Sequence, residues 1–134
     1  LATGEHVYTR WQVKELLAQS AIDFVQTDPD WGGGISEQVK ICSLASAFNV
    51  PVIAHGHSLL PAIHVAASQS AETVPYVEYL VNLQDAKRNL FASPCAPVNG
   101  QFQLPDRPGL GLDIRDEMML RRKNFIWQRT NSDG

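Results

Sequence analysis

Four groups able to move a proton or hold a cation recur at a near-constant interval in this chain. Glu5, Asp28, His55 and Glu78 are separated by about 23 to 27 residues, the length of one strand–helix unit with its loops. Each follows a segment with strand character. Leu1-Ala2-Thr3-Gly4 leads to Glu5, Asp23 to Thr27 to Asp28, Val50 to Ala54 to His55, and Val74 to Val77 to Glu78. Side chains at successive strand C-terminal ends are how a (β/α) barrel builds one active site from distant pieces of chain.

Imidazole can take and return a proton near neutral pH, which makes His55 the candidate base. The competing reading is a histidine that caps the next helix. Asp28 closes the neighbouring strand, and a carboxylate bonded to one imidazole nitrogen fixes the tautomer and raises the basicity of the other. Asp28-Pro29-Asp30 also reads as a turn, so a turn or cap carboxylate competes. Glu5 offers the hard oxygens that Mg²⁺ prefers. One Glu cannot complete such a site, so other ligands must come from strands outside this chain; otherwise Glu5 is a solvated loop residue. His6 either contacts substrate or stands exposed. Glu78 could hydrogen-bond a substrate carboxylate if its surroundings hold it protonated, or be a surface Glu beside Tyr79. His57 and His64 are weaker candidates, His64 falling mid-helix. The Gly32–Gly34 run matches neither a dinucleotide fingerprint nor a P-loop and reads as backbone permissiveness.

The elements that must position these groups follow from local pattern. Thr9 and Gln12 fit a capping box that opens a helix running to about Gln19, with Trp11, Leu16 and Leu17 inward. A second helix is expected over about 36–48, where Ile41, Leu44, Ala45 and Phe48 form an apolar face and Asn49 stops it. The segment Val50–Ala54 lacks polar alternation, as expected for a strand buried on both faces of a parallel sheet. A third helix is expected over about 60–68. From about Asn82 the many Pro and Gly residues leave little room for regular helix, and Val98-Asn99-Gly100-Gln101 reads as a tight hairpin turn. Residues Arg115 to Trp127 read as a short helix or a packing arm.

Composition bounds the function. The 134 residues suffice for one small domain, and their 44% apolar content suits a globular core, with an ordinary 19% charged. A net charge of −3 and a pI near 5.7 argue against a nucleic-acid or anionic-membrane surface. No apolar run approaches a transmembrane length, and the start does not read as a signal peptide. Cys42 and Cys95 provide neither a disulfide framework nor zinc spacing, so a cytoplasmic setting is expected. A complete barrel needs roughly 200 residues or more, and the chain opens within a strand-like segment. It therefore reads as the C-terminal part of a larger protein that should not form an independent catalytic domain. A small α/β domain trimmed at its start is the alternative.

Taken in order, Gly4-Glu5-His6 with Tyr8-Thr9-Arg10, Gln26-Thr27-Asp28 with Trp31 and Gly33-Gly34, Pro51-Val52 leading to His55-Gly56, Glu78-Tyr79-Leu80 and Leu104 to Gly111 resemble the C-terminal half of the mandelate racemase branch of the enolase superfamily. Within it they are most similar to the rhamnonate dehydratase-like acid-sugar dehydratases. The resemblance implies an N-terminal capping domain and a modified (β/α)₇β barrel of the TIM type. Residues 1–80 would supply its last four strands, and residues 81–134 an irregular segment returning to the capping domain. It also implies roles: Glu5 as a ligand of an essential Mg²⁺, His55 as general base paired with Asp28, Glu78 near the substrate carboxylate, and His6 beside the metal ligand.

The implied chemistry is abstraction of the proton α to a carboxylate, with Mg²⁺ stabilising the enediolate. Loss of the 3-hydroxyl as water then yields a 2-keto-3-deoxy acid. The partners implied are a sugar acid, the N-terminal half of the barrel with its cap, and further copies in a homo-oligomer. Thr27 stands where relatives often carry Pro, and His57-Ser58 depart from the expected Ser-Gly-like residues. Two other readings remain open at this level: a racemase or epimerase with a second base elsewhere, and a non-catalytic relative on the same scaffold.

Overall fold

The computed structural model describes residues 1–119. Its elements are β1 (Ala2–Thr3), α1 (Thr9–Ala18), β2 (Phe24–Val25), α2 (Ile35–Ala47), α3 (Leu59–Ala67) and α4 (Val81–Lys87), with short 3₁₀ turns at Gly56–Ser58, Arg88–Leu90 and Asp116–Met118. β1 and β2 pair in parallel, Ala2 opposite Phe24 and Thr3 opposite Val25. The segment after α2 joins β2 through one parallel bridge, Val25 to Val52. Beyond it, the Val52 N–H reaches the Thr73 carbonyl at 2.8 Å.

The four expected strand segments thus lie side by side, but their ladders are shorter than the sequence predicts. Pro51 and Pro75 explain much of this: each lacks the N–H that the next rung would need. The Val74–Val77 segment forms no strand. At the first segment, Gly4 ends the extended run with φ 139°, and a Cβ there would meet the Gln26 nitrogen at 3.1 Å.

α1 packs on α2, and α2 on α3. Val13, Leu17, Ile22, Val25, Ile41, Cys42, Ala45, Val52, Val65 and Val74 form the core. The i, i+4 pair Val13 and Leu17 is therefore the inward face of α1. Trp11, expected inside, is 64% exposed and lies under the Arg10 guanidinium. On α2, Ile41 and Ala45 are buried and Leu44 packs against the core, whereas Phe48 stays exposed just past the helix end. Asn49, at φ 55°, turns the chain out of α2 as expected. Burial pushes the Cys42 thiol up to about 11 and also raises Cys95, and both cysteines are free.

The capping box at α1 is only half formed. Gln12 accepts the Tyr8 N–H at 2.6 Å, but Thr9 makes no cap bond. The orphan Arg10 N–H is instead taken by Glu37 of α2 at 2.9 Å, while the Arg10 guanidinium meets the other Glu37 oxygen at 2.6 Å. The Arg10 amide bond is the main cause that holds the Glu37 carboxyl below its ordinary value of 4.5. A carboxyl depressed in the folded state stabilises it above the unfolded value and loses that contribution as pH falls through the folded one. Glu37→Gln should therefore melt below the parent protein at pH 7, and the gap should close as pH falls below about 4.5. Equal melting temperatures at pH 7 would remove this cross-helix cap from the account.

Residues 81–87 form α4, where little regular helix is expected from about Asn82; the Pro and Gly residues behind that expectation begin only at Pro94, beyond the helix. The predicted hairpin is present, with Val98 and Gln101 exchanging backbone bonds of 2.8 and 3.0 Å. His64 reaches the Leu110 carbonyl at 3.3 Å and so ties α3 to the following segment, a packing role. The segment expected over Arg115 to Trp127 is described only to residue 119, where Asp116–Met118 makes a single 3₁₀ turn; its remainder lies outside the described residues.

Candidate active site

Parallel pairing brings the ends of the first three segments to one edge of the sheet. The His55 N–H donates to the Thr27 carbonyl at 3.2 Å, so His55 leaves the sheet level with Asp28. Their side chains meet: His55 Nδ1 lies 2.9 Å from Asp28 Oδ2. His55 is 13% exposed and Asp28 is fully buried. A neutral imidazole carries one N–H. With its one N–H on Nδ1, the imidazole donates to this buried, acceptor-only carboxylate and keeps the lone pair on Nε2.

Nε2 points to the other two predicted groups. Glu5 Oε2 lies 2.7 Å from it and Glu78 Oε2 3.9 Å. The Glu78 oxygen also accepts the Gly56 N–H at 2.8 Å. This close meeting of chain segments requires glycine after His55, because a Cβ on Gly56 would lie 2.6 Å from the Glu78 carbonyl oxygen. His6 stands at the rim, mostly exposed, with Nε2 3.5 Å from Glu5 Oε1. Its ring stacks on Trp31 at 5.4 Å. Trp31 also lies 5.5 Å from the His55 ring and 4.9 Å from that of His57, so one indole forms a wall shared by three imidazoles.

The two readings of Asp28 turn out to be compatible. Oδ1 accepts the Asp30 N–H at 2.8 Å, an Asx turn, while Oδ2 holds His55. Ser58 adds a hydroxyl donor to Oδ1. The sequence singles out Ser58 only as part of the His57-Ser58 departure, since nothing in the local pattern links it to a residue 30 positions away. Thr27 directs its hydroxyl to the buried Gln38 amide oxygen at 2.9 Å, a partner that a Pro at this position would lack.

Glu5 suits a hard cation as a single ligand. Its carboxylate is about half exposed, and among the described residues its ion-pair neighbours are imidazoles, with no Lys or Arg occupying it. Asp28, Asp30 and His57 also place ligand atoms within 4.8 Å of one another. That cluster does not suit Mg²⁺, because both Asp28 oxygens are engaged in hydrogen bonds and the third ligand is nitrogen. A cavity of about 220 Å³ adjoins this cluster, lined by Asp30, His57, Ser58, Leu60, Lys87 and Phe91 among others; His55, Glu5 and Glu78 do not border it.

A family model described as enolase C-terminal domain-like matches residues 1–118. Arabinonate dehydratase of Saccharolobus solfataricus is 40% identical over 120 residues, covering 87% of this chain and 31% of that protein. L-rhamnonate dehydratase of Saccharopolyspora erythraea is 34% identical over 128 residues, covering 91% of this chain and 32% of that protein. The chain thus spans about a third of the length of these relatives. Among solved structures, L-talarate dehydratase from Polaromonas sp. JS666, complexed with Mg and L-glucarate, superposes with a TM-score of 0.74 at 28% identity, over 87% of this chain and 30% of that one.

Proposed function

The chain belongs to the enolase C-terminal domain-like family, and from that premise we propose that it is the C-terminal portion of a Mg²⁺-dependent acid-sugar dehydratase. One observation carries the reading: a single imidazole has Asp28 at Nδ1 and both Glu5 and Glu78 toward Nε2. The relatives that act on arabinonate and L-rhamnonate support a sugar acid as substrate.

In this reading His55 Nε2 takes the proton α to the substrate carboxylate. Asp28 holds the ring by Nδ1, so the lone pair keeps its direction. A proton gained at Nε2 leaves the imidazolium between two carboxylates, Asp28 and Glu5, which stabilise its charge. Glu78 and His6 border the space that the substrate would fill. Glu5 would be one ligand of Mg²⁺, which when bound supplies charge stabilisation at the substrate carboxylate. The imidazolium can return its proton to the 3-hydroxyl, which leaves as water, and the resulting enol tautomerises to a 2-keto-3-deoxy acid.

Residues 1–80 would contribute the last four strand positions of a modified (β/α)₇β barrel. Residues 81–134 would return to a capping domain that selects the sugar. A homo-oligomer in the cytoplasm fits this enzyme class and the two free thiols.

The test is incubation of the complete protein with Mg²⁺ and a panel of aldonates, arabinonate and rhamnonate included, in D₂O. The expected product is a 2-keto-3-deoxy acid carrying solvent deuterium at C3. An epimer deuterated at C2, with no keto acid, would replace dehydration by epimerisation. Neither exchange nor product with any aldonate would sink the enzymatic reading.

A further inference from the structure

Ser58 sits where a helix cap is expected, yet it does not cap. It precedes α3 at the N-cap position, and its side chain makes no cap hydrogen bond. Ser at this position ordinarily accepts an N–H two or three residues on. Here the third residue on is Pro61, which has no N–H to offer. The hydroxyl turns instead to the neighbouring strand end. It donates to Asp28 Oδ1 and accepts the Asp30 N–H at 3.1 Å. Ser58 is 3% exposed, so this hydroxyl has little water to turn to.

We propose that Ser58 is a positioning residue for the base, acting through Asp28. This rests on the reading of His55 as that base. Asp28 has two oxygens and one task for each: Oδ2 holds His55, and Oδ1 must be anchored or the carboxylate rotates. The Asp30 N–H supplies one anchor and the Ser58 hydroxyl the other. The turn that carries Ser58 is itself held from α4. Gln84 donates to the Gly56 carbonyl at 2.6 Å, and Lys87 donates to the His57 carbonyl at 2.9 Å. Ser58 therefore has a fixed backbone from which to fix Asp28, and Asp28 in turn fixes the imidazole.

Because Ser58 makes no cap bond, Ser58→Ala should leave α3 intact while loosening the pair. In the complete protein, kcat should fall by about 10- to 100-fold, the range for a residue behind a functional ligand. KM and Mg²⁺ dependence should stay near the parent values, and the melting temperature should fall only by the cost of one buried hydrogen bond. Ser58→Thr, which keeps the hydroxyl, should recover most of the loss. In the metal-free protein, the downfield NMR resonance of the His55 Nδ1 proton should weaken or move in Ser58→Ala and persist in Ser58→Thr.

His55→Asn, made in parallel, separates the two ideas. Parent-like turnover and an unchanged Nδ1 resonance in Ser58→Ala, beside an inactive His55→Asn, would overturn the role of Ser58 alone. An active His55→Asn would overturn the base, and the role of Ser58 with it. A Ser58→Ala variant that loses stability and raises KM, with no rescue by Thr, would make Ser58 a packing residue.

Discussion

His55→Asn should abolish both α-proton exchange and dehydration while leaving the fold and metal binding intact. A positioned general base contributes about 10²- to 10⁴-fold, and no other imidazole is placed to substitute. His57 Nδ1 faces Asp30 at 3.4 Å without making a hydrogen bond. His6 stands at the rim, mostly exposed. Asn fills similar space and can still hydrogen-bond to Asp28, so the packing of Asp28, Ser58 and Gly56 should survive. Asp28→Asn should cost less, because the imidazole remains and only its anchor changes. The amide would offer Nδ1 either a second donor or a weaker acceptor, and about 10- to 100-fold is the usual loss for such a partner. The measurement is loss of the C2 proton signal in D₂O with parent and variants at equal concentration. Exchange at the parent rate in His55→Asn would assign the base to a residue outside this chain.

Glu5→Gln should remove Mg²⁺-dependent turnover by several orders of magnitude. The amide keeps the size of the carboxylate but lacks the charge that a hard dication requires of its protein ligands. Glu5 also touches His55 Nε2 at 2.7 Å, so the loss has two possible origins. Titration calorimetry of the complete protein with Mg²⁺ separates them. Weakened Mg²⁺ binding together with lost turnover makes Glu5 a ligand. Intact binding with reduced turnover confines it to the imidazole. Unchanged binding and unchanged turnover would take Glu5 out of the site.

Much of this arrangement can be read from local pattern. The limits of α2 and α3 follow from apolar periodicity and the Asn49 stop, each within about one residue. The spacing of Glu5, Asp28, His55 and Glu78 predicts strand ends that share one edge, because parallel units repeat at a set length. The ladder bonds between Thr3, Gln26, Thr27 and His55 have that register. Pattern also misled where it was purely local. Trp11 falls on a helical stripe but packs beneath Arg10 in solvent, and the Pro residues from Pro94 on obscure α4 just before them.

What only the tertiary structure decided are contacts between residues far apart in sequence. Ser58 and Asp28 are 30 positions apart, and nothing near Ser58 names the carboxylate that its hydroxyl anchors. Glu37 lies 27 positions from the Arg10 amide that it caps. Trp31 gains three imidazole neighbours from two different loops. Residue type and spacing determined which groups reach the sheet edge, because helix and strand periods are properties of the backbone. Which oxygen meets which proton there depends on how separate segments pack, and burial removes the water that would otherwise satisfy each group alone.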